Sequence, residues 1–171
     1  MWEFRGQRRP PFADPAGPDK ESVWDYPRPP CMAPDARRVQ VRFGDLIIAD
    51  SERSTRVLET ASPPTFYLPP EDVQLQLLEP LDGVSHCEWK GLAAYWGLIA
   101  KLGPPTPVAW CYANPTPSFR PISGYFSFYP SALKCYVGGE RVRAQPGRFY
   151  GGWVTGELTG PFKGEPGTSH W

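Results

Sequence analysis

Arg38-Val39-Gln40-Val41-Arg42-Phe43-Gly44-Asp45-Leu46-Ile47-Ile48-Ala49-Asp50 is the stretch whose reading decides the fold. Val39, Val41 and Phe43 alternate with Gln40 and Arg42, the two-residue period of a strand with one buried face. Gly44-Asp45 supplies a two-residue turn, and Leu46 to Ala49 returns as a second apolar run. This is the pattern of a β-hairpin. Residues 55–60 read as the next strand, after a polar turn at residues 50–54. Residues 133–137, Gly138-Gly139 and residues 140–143 form another hairpin. Between these lie short strands at residues 74–77, 107–112 and 122–129, a turn at Asp82-Gly83, and one helical turn at residues 70–73. Residues 86–96 read as two short strands broken at Gly91, with a short helix as the alternative that Gly91 disfavours. Many short strands separated by turns predict a mainly β domain of two packed antiparallel sheets with little helix.

Composition agrees with this reading. The chain of 171 residues holds 23 prolines, 17 glycines and 14% aromatics. Proline and glycine interrupt helices, and rings suit a pleated, half-buried surface. The length fits one domain with its own core. Residues 1–22 read as a mobile amino-terminal segment. Residues 23–146 form the β domain with an anchored proline-rich arm around Trp24 and Tyr26. Residues 147–171 form a glycine- and aromatic-rich tail packed on the same domain.

Charge narrows the function classes. Lys and Arg total 18, as do Asp and Glu, so there is no basic excess for tracking a nucleic-acid backbone. No run reaches membrane-spanning length, and residues 1–10 hold no apolar stretch of signal-peptide length. Cys31, Cys87, Cys111 and Cys135 make no Cys-x-x-Cys knuckle, and two histidines do not complete a metal site. The expectation is a cytoplasmic protein with reduced thiols, no metal, no cofactor, and no nucleic-acid or membrane partner.

The candidate chemistry centres on Ser85-His86-Cys87-Glu88-Trp89-Lys90-Gly91-Leu92-Ala93-Ala94-Tyr95-Trp96. Lys90 sits among rings, where a buried ammonium requires a carboxylate or an aromatic face. Glu59, between Leu58 and Thr60, is the expected carboxylate. A Lys90–Glu59 pair beside Tyr67, Trp110 and Tyr112 makes a polar floor in an aromatic-walled pocket, as in small-ligand sites. The competing reading sends Lys90 along apolar surface to water and leaves Glu59 on a strand surface. Phe162-Lys163-Gly164 repeats the ring-Lys-Gly pattern, either by coincidence or because Lys163 closes the same pocket with Trp153 as a lid. Cys87 is either a nucleophile activated by a nearby cation or a small buried apolar residue.

Several segments together resemble a known family: Ala49-Asp50-Ser51, Leu58-Glu59-Thr60, Pro63-Pro64-Thr65-Phe66-Tyr67-Leu68-Pro69, Cys87-Glu88-Trp89-Lys90-Gly91, Tyr95-Trp96, Ala109-Trp110-Cys111-Tyr112 and Phe126-Ser127-Phe128-Tyr129. They are similar to the domain of unknown function numbered 427, sometimes labelled nucleotidyltransferase-like, over residues 38–143. The resemblance implies a mostly β domain like the tent-shaped two-sheet folds that hold a small ligand between sheets. It implies no activity. The transferase label lacks its parts here, since nucleotidyl transfer needs paired metal-binding carboxylates and a glycine-serine phosphate loop.

The resulting expectation is a small-molecule-binding β domain. Glu59 and Lys90 serve as polar contacts, Tyr67 and Tyr112 as hydroxyl donors, and Trp110 and Trp153 as walls. The alternatives are an enzyme using Lys90, with a lowered pKa, as base or Schiff-base former, and a protein-interaction module.

Overall fold

The computed structural model describes residues 2–171; Met1, part of the segment read as mobile, lies outside the described residues. The protein is mainly β, and its helical content consists of short 3-10 turns. The hairpin that opened the sequence reading forms as expected. Strand Val39–Phe43 pairs antiparallel with Leu46–Ser51 around the Gly44-Asp45 turn. Val39 and Val41 are fully buried while Gln40 and Arg42 are partly exposed, which is what the two-residue period dictates.

This hairpin is half of a four-stranded sheet in the order Glu140–Arg141, Lys134–Val137, Val39–Phe43, Leu46–Ser51. A second four-stranded sheet runs Phe126–Phe128, Ala109–Cys111, Gly91–Leu98, Leu78–Cys87. All neighbours in both sheets are antiparallel. One core joins them, with Val39, Val41 and Ile48 from the first sheet and Ala109, Cys111, Phe126 and Phe128 from the second. A third antiparallel sheet, Cys31–Asp35, Ser54–Leu58, Thr65–Tyr67, and two two-stranded ribbons complete the fold. The sequence reading expects two sheets, and the smaller ones are what it misses.

Three local expectations change. Cys31–Asp35 is a strand paired in register with Ser54–Leu58. Pro34 hides it from sequence inspection, and the strand tolerates Pro34 because it is an edge strand with no outer neighbour. Asp82-Gly83 is no hairpin turn but lies inside the long strand Leu78–Cys87, at a register irregularity between Pro80 and Val84. Gly83 adopts φ 97° there, a bulge conformation that glycine accepts without steric cost. Residues 74–77 are not a strand. Leu75–Leu77 forms a 3-10 turn, and the Gln74 N–H donates to the Ile48 carbonyl of the neighbouring sheet.

Both flanks run against the sheets. Val23 and Trp24 are fully buried, and Trp24 Nε1 donates to the Pro161 carbonyl. Phe4 and Phe12 pack edge-on against the Trp24 ring. In the tail, strand Trp153–Val154 pairs with Arg143–Ala144, and Leu158–Thr159 pairs in parallel with Glu21–Ser22.

Candidate functional site

The turn that carries Lys90 links strands Leu78–Cys87 and Gly91–Leu98. Gly91 adopts φ 97°, and a Cβ there would meet nothing closer than 3.7 Å, so the glycine is required by backbone conformation and not by crowding. Thr116 pins the turn from the other side. Its N–H donates to the Lys90 carbonyl at 3.0 Å and its hydroxyl to the Trp89 carbonyl at 2.6 Å. With the backbone held, the Lys90 side chain projects inward and is only 9% exposed.

Lys90, Glu59, Tyr67, Trp110 and Tyr112 line one cavity of about 610 Å³. Glu59 and Tyr67 come from the edges of the Ser54–Leu58 and Thr65–Tyr67 pair, and Trp110 and Tyr112 from the strand Ala109–Cys111 and its exit. Trp110 Nε1 donates to the Tyr67 hydroxyl at 3.2 Å, with the two rings edge-on. Tyr129 lies against Trp110 at 4.6 Å between centroids. Trp110 and Tyr67 thus hydrogen-bond through their polar tips, a common arrangement for buried tyrosine and tryptophan.

Two expectations about the site are corrected. Trp153 is not a wall or a lid. It is fully buried in the main core, stacked on Phe66 at 4.9 Å, and its Nε1 donates to the Phe128 carbonyl at 2.9 Å. An indole sealed on all sides, with its one polar group satisfied inside, has no face left for a cavity. The Lys90–Glu59 ion pair does not form either. Glu59 pairs with Arg28, whose Nε lies 3.2 Å from its carboxylate and whose side chain is 1% exposed. Arg28 also donates to the Thr60 carbonyl at 2.8 Å. The guanidinium fork spans both acceptors, which a single ammonium cannot do as well, so the arm's arginine takes the carboxylate.

The roof of the cavity comes from the tail. Arg148, Phe149, Tyr150, Gly151 and Lys163 all line it. At Gly151 a Cβ would stand 2.3 Å from the Trp110 ring, so only glycine lets the tail lie flat on that indole. Gln145 holds the roof in place. Its amide nitrogen donates to the Lys163 carbonyl at 2.7 Å, and its amide oxygen accepts from the Gly152 N–H at 3.0 Å. Gln145 and Arg28 are absent from the sequence-based site. Neither sits in a motif, and each gains its role from partners distant along the chain.

Electrostatics distinguish the two lysines. Burial pulls the Lys90 pKa down, but the acidic groups around it, Tyr67 first and then Cys87 and Glu59, outweigh burial and raise it above the ordinary lysine value. Its ammonium faces the rings of Tyr112 at 5.7 Å and Phe119 at 5.8 Å. Burial raises the phenol pKa of Tyr67, against the opposing pull of Lys90. It also raises Tyr112 and Tyr129. The Lys90 amine and the Tyr67 phenol thus pull on each other's titration. Lys163 goes the other way: burial first, then the charge of Arg28, lowers its pKa. Its ammonium donates to the Trp171 carbonyl at 3.0 Å and faces the Trp2 ring at 4.8 Å.

The aspartates that a phosphoryl-transfer reading requires have structural partners. Asp50 accepts from Arg38, and Asp72 from Arg53 and Ser51. Among the described residues no group of three His, Cys, Asp or Glu is arranged to hold a metal ion. Nor is any helix among them long and apolar enough to cross a membrane.

A family model described as a domain of unknown function, DUF427, matches residues 31–139. No curated protein matches the chain. Glu59, Tyr67, Lys90, Trp110 and Tyr112 fall inside the matched span; Arg28, Gln145 and the whole roof fall outside it.

Proposed function

The chain belongs to the DUF427 family, and we propose that it is a small-molecule-binding β domain whose ligand occupies the cavity around Lys90. One observation carries the reading: five residues from four segments, Glu59, Tyr67, Lys90, Trp110 and Tyr112, converge on a single concave site. Its volume of about 610 Å³ and its aromatic walls with polar groups between them are compatible with a small-ligand site. The enzymatic alternative draws less support. A lysine acting as base or Schiff-base former needs an amine that loses its proton near neutrality, whereas the Lys90 pKa is raised. A cytoplasmic setting is part of the proposal, supported by four unpaired cysteines.

The test is a thermal-shift screen against nucleotides, amino acids and metabolites. A ligand at about a hundred times its Kd stabilises the folded state by about 2.7 kcal/mol, enough to raise the Tm by several degrees. The expected result is at least one compound whose shift disappears in Lys90→Ala. A screen in which every shift survives that substitution removes the reading. Borohydride trapping of a carbonyl compound on Lys90 would instead favour the enzyme.

A further inference from the structure

We propose that the ligand is a flat monocarboxylate, with its carboxylate at Lys90 and its ring against Trp110 and Tyr112. This rests on the cavity being the binding site and adds the chemical class of the occupant.

The first ground is a buried ammonium with no carboxylate paired to it. Lys90 is nine-tenths buried and lines the cavity. The carboxylate that lines the cavity with it, Glu59, is committed to Arg28. What remains around the ammonium is the Tyr67 phenol, the thiol of Cys87 and the faces of Tyr112 and Phe119, none of them a carboxylate. A buried ammonium without a carboxylate is costly, and the cavity that Lys90 lines gives an anion access to it. The remaining charges agree. Lys90, Arg148 and Lys163 line the cavity against Glu59 alone, and Glu59 is already matched by Arg28. Glu88, the other acid that influences this region, acts on Arg28 and Lys163. The surplus is positive.

The second ground selects the seat. Lys163 already donates to the Trp171 carbonyl and covers the Trp2 ring. Among the described residues Lys90 makes no such hydrogen bond to a carbonyl, and Cys87 is the one side chain hydrogen-bonded to it, so N–H groups are left for an acceptor in the cavity that Lys90 lines. Tyr67 stands beside it. That hydroxyl accepts from Trp110 Nε1, which leaves its own proton to donate. One ammonium and one phenol match the two oxygens of a carboxylate. A phosphate group is ordinarily met by several backbone N–H groups or an arginine fork; Lys90 and Tyr67 form neither, and the arginine that lines the cavity, Arg148, belongs to the roof.

The third ground is shape. Trp110 and Tyr112 form the walls beside Lys90, with Gly151 bringing the roof down flat on the indole. Rings packed this way accept an aromatic slab by offset or edge-on contact.

Isothermal titration of the full chain near neutral pH tests the proposal. The probes are benzoate and naphthoate, each against its neutral amide, with naphthyl phosphate as the phosphate arm. The expected result is that at least one acid binds roughly tenfold or more tightly than its amide and than the phosphate. Lys90→Met then brings acid and amide to equal affinity, while Lys90→Arg keeps the preference for the acid. Should Lys90→Met not fold cooperatively, Tyr67→Phe provides the same reading: it weakens the acid several-fold and leaves the amide unchanged. Amide binding as tight as acid, or an acid preference that survives Lys90→Met, overturns the proposal. So does tighter binding of the phosphate, or no binding of any acid. If a neutral compound from the thermal-shift screen binds in a Lys90-dependent manner while every acid fails, the monocarboxylate is wrong and the cavity reading stands. If no compound depends on Lys90, both fall.

Discussion

Two tripeptides of one pattern, Trp89-Lys90-Gly91 and Phe162-Lys163-Gly164, bring a lysine to the same cavity by different physics. In the first, glycine serves the turn: φ is 97° and the space beside it is open to 3.7 Å. In the second, glycine serves contact: φ is 136° and a Cβ would fall 1.9 Å from the Pro146 carbonyl oxygen. The lysines differ accordingly. Lys90 hangs from a hairpin pinned by Thr116 and keeps its charge among phenols. Lys163 belongs to a tail segment clamped by Gln145, and it is crowded by Arg28. Similar residues in similar order therefore say little about role. The neighbours that the fold supplies decide it.

The largest expected effect tests the two glycines. Gly164→Ala forces backbone against backbone and costs about 3 kcal/mol in urea unfolding. Gly91→Ala meets only the strain of a positive φ and costs about 1 kcal/mol. Equal losses would break the comparison.

Next in size is the carboxylate that lies between the lysines. Glu59→Gln leaves the buried Arg28 guanidinium without its counter-charge, while Arg28 keeps the Thr60 carbonyl. We expect a loss of about 2 kcal/mol, less than for a fully buried pair because Glu59 is partly exposed. No measurable change in urea midpoint would mean that the arm's arginine does not depend on Glu59.

Alkaline pH separates the lysines by sign. Tyr67, Tyr112 and Tyr129 have folded pKa values raised above the ordinary 10.0, so their contribution is full below pH 10 and is lost above it, as the unfolded chain ionises first. Lys90 is raised above 10.5, so its contribution also fades above that value. Lys163 is lowered, so the unfolded chain holds the extra proton and stability rises with pH up to 10.5. Urea midpoints from about pH 8 to about pH 11 should fall above pH 10. Tyr112→Phe should flatten that fall, and Lys163→Met should remove the rise that precedes it. A midpoint that climbs through pH 10 and beyond would contradict these assignments.

The smallest effect is at the roof. Phe149 is 78% exposed although it lines the cavity. Phe149→Ser should change stability by no more than about 0.5 kcal/mol. Its effect on naphthoate binding, read by the same titration, shows whether the roof ring contacts a ligand.

Much of the β architecture was legible because it depends on near neighbours. The alternation of Val39, Val41 and Phe43, the Gly44-Asp45 turn, the Gly138-Gly139 turn and the break at Gly91 each state a local conformation, and each appears. The strand at Cys31–Asp35 escaped because Pro34 argues against a strand until an unpaired edge excuses it. Trp153 read as a lid because it shares the tail with Lys163, but the tail folds its ring inward on Phe66. In the candidate site, the identity of Lys90, Tyr67, Trp110 and Tyr112 was visible as rings around a cation. The partner of Glu59 was not visible, since the competing arginine stands in a proline-rich arm with no periodicity.

The amino-acid sequence by itself determined where the chain alternates, where it turns, and that one lysine is embedded among rings. Only the tertiary structure decided that Arg28 takes Glu59 from 31 residues away, that Trp110 meets Tyr67 across 43, and that the tail closes over both. Backbone preferences act over a few residues and are written in composition. Charge pairing and cavity walls depend on distances through space, which exist only once distant segments have packed.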